Sequence, residues 1–205
     1  MRKRTKPKNG RPTGPSQRTV STVLAATSAV LNKQGYGRTT IEKIAERAGV
    51  AKTTIYRWWP SRIMLFMALF EDVVTRPLSK QQASGNLESD LIGLYCGLSR
   101  LLTTTSAGAA LVGMIVEAQF DAGAAETFRS EFSTRGRVLS RAILQRAKDR
   151  GEIPADCDME LIISILSGAL WYRLLLGDLG ESYVEAFVRV VLDGIRITER
   201  AALGR

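Results

Sequence analysis

The sequence predicts an all-α fold, with a small N-terminal three-helix head on a larger C-terminal helical body. Three observations carry that reading. Apolar residues recur at helical spacing along most of the chain after Gln17. No stretch of strand length alternates cleanly between apolar and polar residues, and glycines or prolines stand at the seams between the periodic segments. The 205 residues are 45% hydrophobic and 24% charged, a globular composition sufficient for one domain or a pair.

Residues 1–16 carry six Lys/Arg and three prolines without apolar periodicity, and read as a flexible basic tail. The head is expected over 17–60 and the body over 61–205. In the first helix Val20, Val23, Leu24, Val30 and Leu31 share one face, with Thr27 between them, and Gly35-Tyr36-Gly37 supplies the stop. Thr39-Thr40-Ile41-Glu42 reads as a capping box opening a second helix, which buries Ile41, Ile44, Ala45 and Ala48 and ends at Gly49. Val50 and Ala51 lead into a third helix with Ile55 and Trp59 inward. Pro60-Ser61 breaks it, and Ser61 caps a fourth helix carrying Ile63, Leu65, Phe66, Leu69 and Phe70, which Pro77 should end. Further helices are expected near 87–104, 107–119, 124–150, 158–177 and 181–199.

Charge is unevenly placed. Residues 1–62 hold 14 Lys/Arg against two acids, whereas residues 63–205 hold 15 against 18. A front end of +12 on a body of −3 implies an anionic partner at one end, nucleic acid or a membrane surface. No apolar run follows Arg2-Lys3-Arg4, and the longest one, Leu161 to Tyr172, is shorter than the ~20 residues of a spanning helix. No membrane partner is therefore expected, and the chain reads as cytoplasmic with Cys96 and Cys157 reduced. The absence of histidine excludes Ser-His-Asp and Cys-His catalysis and imidazole-based zinc sites. With no glycine-rich phosphate loop or metal cluster either, no enzyme activity, cofactor or metal is expected. Asp156 and Asp158 flank Cys157, and nothing near Cys96 favours its thiolate, which argues against a redox switch.

Thr39 to Trp59 is the informative stretch. Two short helices meet at a tight turn on Gly49, and Ala45 stands where they approach most closely. This is the spacing of a helix-turn-helix, whose second helix enters the DNA major groove. On or near the outward face of that helix lie Lys52, Thr53, Thr54, Tyr56, Arg57 and Trp58. Arg57 suits guanine or phosphate, the threonines suit bases, phosphates or a thymine methyl, and Tyr56 suits a phosphate. Lys52 and Arg62 supply charge to the backbone, and Thr40 sits at a helix N-terminus where amides converge on a phosphate. Trp58 stands at the edge, either a contact or packing. The tail residues Arg2, Lys3, Arg4, Lys6, Lys8 and Arg11 form either a solvated terminus or an arm on phosphates or the minor groove.

The run TTIEKIAERAGVAKTTIYRWWPSRIML resembles the signature of the tetracycline-repressor (TetR) family, over about residues 17–65. The run RGEIPADCDMELIISILSGALWYRLLLG resembles part of a TetR ligand domain. The resemblance implies that Thr40, Lys52, Thr53, Thr54, Tyr56, Arg57, Trp58 and Arg62 face DNA and that Trp59 is core. Three residues depart from the pattern. Ala51 stands where Ser is common and removes a capping hydroxyl, Arg62 replaces Lys, and Ile63 replaces Glu.

The expected function is sequence-specific transcriptional regulation, as a repressor binding a palindromic operator in double-stranded DNA as a homodimer and released by an unknown small-molecule effector. Candidates for the effector pocket are Phe66, Phe70, Tyr95, Met114, Phe120 and Trp171, with plain core as the alternative. Glu117 and Arg173 are either polar anchors in that pocket or paired charges. By the resemblance, the last two long helices pair between copies, and Leu161, Ile165, Leu166, Ala169, Val184, Phe187, Val188 and Val191 are expected to serve core and interface together. The competing readings are a non-specific nucleoid-type DNA-binding protein and a ligand-binding dimer whose head leaves DNA alone.

Overall fold

The computed structural model describes residues 16–132, 135 and 137–203, with the side chains of 196–203 excepted. Among these residues every regular element is helical. The head comprises α1 (Gln17–Gln34), a 3-10 turn (Tyr36–Arg38), α2 (Ile41–Ala48) and α3 (Lys52–Trp58). The body comprises α4 (Arg62–Phe70), a π-helical turn (Glu71–Thr75), α5 (Arg76–Leu78), α6 (Leu87–Thr104), α7 (Ser106–Phe120), α8 (Ala122–Glu131), α9 (Val138–Asp149), α10 (Met159–Leu176) and α11 (Glu181–Leu203). One apolar core runs through both parts, from Val23, Leu31, Ile44 and Ile55 to Phe66, Met114, Ile163 and Val188.

Local chemistry explains most boundaries. Ser16 caps α1 by accepting from the Thr19 amide at 3.1 Å, and Ser61 caps α4 by accepting from the Met64 amide at 3.2 Å. Asn86, Asp121 and Asp158 do the same for α6, α8 and α10.

The structure corrects four expectations. The cap of α2 is Thr40, which accepts from the Lys43 amide, whereas the Thr39 hydroxyl is buried and donates to the Gly35 carbonyl at 2.7 Å. Pro77 does not stop the fourth helix. The π turn passes the Arg76 amide back to the Glu71 carbonyl, and Pro77 sits at the start of the last short turn, where its missing N–H is tolerated. The single helix expected over 124–150 is two, α8 and α9, with π-helical backbone at Phe132 and Arg135 between them. Finally, α10 extends beyond the Leu161–Tyr172 run at both ends, so its length and composition match a membrane span; Ile162, Ile163, Leu166 and Leu170 instead pack into the body core.

The opposite side of α10 is also apolar. Leu161, Ile165, Tyr172, Leu175 and Leu176 are exposed, as is Val190 on α11. Of the residues expected at an interface, only Leu161 and Ile165 present free surface. Ala169 and Val191 are half-buried, and Leu166, Val184, Phe187 and Val188 are enclosed in the chain's own core, packed under α6 and α10.

Candidate nucleic-acid interface

The turn between α2 and α3 is set by Gly49, whose backbone is left-handed at φ 65° and ψ 32°. Its amide bonds the Glu46 carbonyl at 3.2 Å, and the Val50 amide reaches the Ala45 carbonyl at 3.1 Å. That pair of bonds is a Schellman ending, which closes α2 and turns the chain directly into α3. A side chain at Gly49 would strain this backbone. Ile55 on α3 is fully buried, and Trp59 closes the small core behind it. Ala51 precedes α3 without a side-chain cap, as its missing hydroxyl requires.

With Ile55 inward, α3 turns Lys52, Thr53, Tyr56 and Arg57 to solvent, with Thr54 and Trp58 half-buried beside them. The Arg57 guanidinium lies 5.1 Å over the Trp58 ring, so one residue steadies the other at the edge of the reading face. Lys52 pairs with Glu42 across the two helices at 3.1 Å, both exposed. The Glu42 backbone amide and then Lys52 hold the Glu42 carboxyl below the usual carboxylate range. Thr40 is half-buried, and its hydroxyl is engaged in the α2 cap. The tail residues Arg2 to Arg11 lie outside the described residues.

Arg62 departs from its expected place at the DNA backbone. Its guanidinium turns into the body, pairs with Glu117 Oε2 on α7, donates to the Thr39 carbonyl at 3.3 Å and stacks 4.6 Å over the Tyr36 ring. Tyr36 donates its hydroxyl to the same Glu117 oxygen at 2.6 Å. Burial first, and then the adjoining carboxylate, push the Tyr36 phenol far up, so it stays a donor at any physiological pH. Glu117, weighed above as an effector anchor, is therefore spent on a latch between head and body. The Ser28 and Ser106 hydroxyls meet at 2.8 Å on the same seam. Sequence reasoning passed over Tyr36, whose signal was a lone aromatic set between two glycines.

The remaining pocket candidates scatter. Phe66, Phe70, Tyr95 and Met114 are buried core; Tyr95 bonds the Ser140 hydroxyl at 3.2 Å and meets Phe187 edge-on. Phe120 is 87% exposed at the end of α7. Arg173 pairs with Asp178 and lies 4.2 Å over the Tyr183 ring. Trp171 lines a cleft together with Phe128 and Phe132. Among the described residues, no cluster of three His, Cys, Asp or Glu side chains could hold a metal.

A two-helix reader hinged on a left-handed glycine, with a basic and hydroxylic face turned outward, defines a helix-turn-helix transcriptional regulator. Comparison with known proteins agrees. Residues 23–69 match the family described as "Bacterial regulatory proteins, tetR family", and residues 82–191 match "Tetracyclin repressor-like, C-terminal domain". The chain belongs to the TetR family. It is 31% identical to the uncharacterized HTH-type transcriptional regulator YdeS of Bacillus subtilis, over 93% of this chain and 96% of that one. It is 29% identical to the DNA-binding transcriptional repressor TetR of Mycobacteroides abscessus, over 83% and 90% of the two chains. Its fold superposes on the crystal structure of the TetR family regulator SCO0332 with a TM-score of 0.73, at 31% identity, covering 87% of this chain and 99% of that one.

Proposed function

We propose that the chain is a cytoplasmic repressor that binds a palindromic operator as a homodimer and is released by a small molecule. The observation that carries this is the outward face of α3, where Lys52, Thr53, Tyr56 and Arg57 stand exposed on a helix whose inward side is fixed by Ile55. One such helix reads only a few base pairs. Two of them about 34–36 Å apart read a palindrome. The exposed apolar stripe of α10, Leu161, Ile165, Tyr172, Leu175 and Leu176, supplies the surface that joins two copies. The likeness to the Mycobacteroides abscessus relative, a DNA-binding transcriptional repressor, supports the repressor role.

Effector release works through α4, which carries Arg62 at its first turn and buries Phe66 and Phe70 in the body. A body conformation that moves α7 shifts Glu117, and with it the latch that sets the angle of the head.

Selection of binding sites from random duplexes by the full chain at near-physiological salt tests the proposal. Enrichment of a palindrome is the expected result. Retention without enrichment would indicate a non-specific coating protein instead, and no retention a head that leaves DNA alone.

A further inference from the structure

A cleft of about 520 Å³ opens between α8 with Phe132 at its end, α10 and Arg137, the residue that precedes α9. Its size lies within the range of small-molecule sites. The walls are aromatic. Phe128 and Phe132 stack with centroids 5.2 Å apart and 24° between planes, and Trp171 stands edge-on to Phe132 at 5.0 Å. Such a set offers both a face and an edge to a further planar ring. An exposed ion pair, Arg129 with Glu126 at 2.7 Å, stands at the rim.

One polar group in this wall is left over. The Nε of Arg137 is buried without a hydrogen-bond partner. Its Nη1 reaches Glu160 and Ser164 only at 3.4 Å, because Glu160 is already held by Arg141 at 2.7 Å. Two guanidinium groups share one carboxylate, so a positive charge remains uncompensated beside the aromatic walls. With 26% of its side chain exposed, Arg137 lines the cleft, and an incoming carboxylate can accept from the part of the guanidinium that faces it.

The cleft also touches the lever. Phe132 lies 6.2 Å from Phe70, which belongs to α4, the helix whose first residue is Arg62. A guest that displaces Phe132 therefore pushes on the element that ends at the latch.

The geometry points to an effector that is a small aromatic monocarboxylate, its ring against Phe128, Phe132 and Trp171 and its carboxylate on the Arg137 guanidinium where it meets the cleft. This inference rests on the reading of the chain as an effector-released regulator.

Calorimetric titration of the full chain with 2-naphthoate and with its neutral counterpart 2-naphthamide tests it. The acid is expected to bind roughly tenfold or more tightly than the amide. Arg137→Gln should erase that preference and leave amide binding in place, whereas Phe132→Leu should weaken both ligands. Arg137→Lys keeps the charge without the planar fork, and should retain a reduced preference for the acid. Equal affinities for acid and amide, a preference that survives Arg137→Gln, or no binding of 2-naphthoate, benzoate or phenylacetate in the millimolar range would each overturn the proposal. A protein that selects a palindrome yet binds none of these acids loses this effector class and keeps its role as a regulator. One that binds 2-naphthoate through Arg137 and selects no DNA keeps the site and loses the role.

Discussion

Gly113 and Tyr36 approach so closely that a Cβ on the glycine would stand 2.0 Å from the tyrosine Cγ. The 3-10 turn after α1 sets the Tyr36 ring against α7, one helical turn before Glu117, and only a missing side chain makes room for it. Gly113→Ala is expected to destabilise the chain by about 1–3 kcal/mol through overpacking. Combined with Tyr36→Ala, the cost of the alanine at 113 should largely vanish. Urea denaturation of the four members of the cycle measures this coupling.

Arg62 and Lys52 should separate in their response to salt. Lys52→Ala and Arg57→Ala are expected to lower the slope of log affinity against log salt by about 1 each if they meet phosphates. Arg62→Ala should leave that slope in place, because its guanidinium is turned into the body against Glu117 and Tyr36, whereas the Lys52–Glu42 pair lies open on the surface. It should instead cost roughly 1–3 kcal/mol of stability, toward the lower end because 29% and 25% of the two side chains still meet water. Fluorescence anisotropy on a selected duplex over a salt series reads the slopes.

Ala51 leaves the first amides of α3 without a side-chain acceptor. Ala51→Ser is expected to restore that cap and raise stability by about 0.5–1 kcal/mol. A higher urea midpoint with an unchanged slope is the signature.

Ile165 stands on the exposed stripe of α10 with its side chain outside the core. Ile165→Glu should yield folded monomers, with native helical circular dichroism, a lower sedimentation coefficient and lost affinity for a palindromic duplex. A variant that remains dimeric would move the interface elsewhere.

The two thiols should react slowly. Burial first, then Glu181 and Glu185, push the Cys96 thiol up; burial, then Asp156 and Asp158 against the opposing Lys148, do so for Cys157. Raised values mean less thiolate at neutral pH, so alkylation by iodoacetamide should be slower than for a free cysteine and should accelerate as pH rises through 9 and beyond. Mass spectrometry of timed aliquots gives both rates.

The head was legible because its determinants are local. Gly49, Ala51 and Ser61 act on residues within a turn of themselves, so spacing alone exposes them. The helix boundary at Thr39 or Thr40 was off by one because either threonine can cap, and only burial of the first decides. Arg62 and Glu117 stand 55 residues apart in the chain. A basic residue beside a reading helix looks the same in sequence whether it turns toward a phosphate or toward a distant carboxylate. The aromatic cleft was hidden for a similar reason. Phe128 and Phe132 fall inside a stretch whose periodicity continues past the break, and nothing in their spacing shows that Trp171, on another helix, completes the set.

The bare apolar stripe on α10 has a consequence for dosage. On the proposed pairing of two chains at the operator, the population competent to hold DNA grows as the square of chain number while single copies dominate. Modest dilution at cell division then lowers occupancy more than proportionally, and a small rise in synthesis restores it steeply. On the proposed pairing, the stripe sets a threshold in copy number below which the regulated promoter escapes control without any ligand at all.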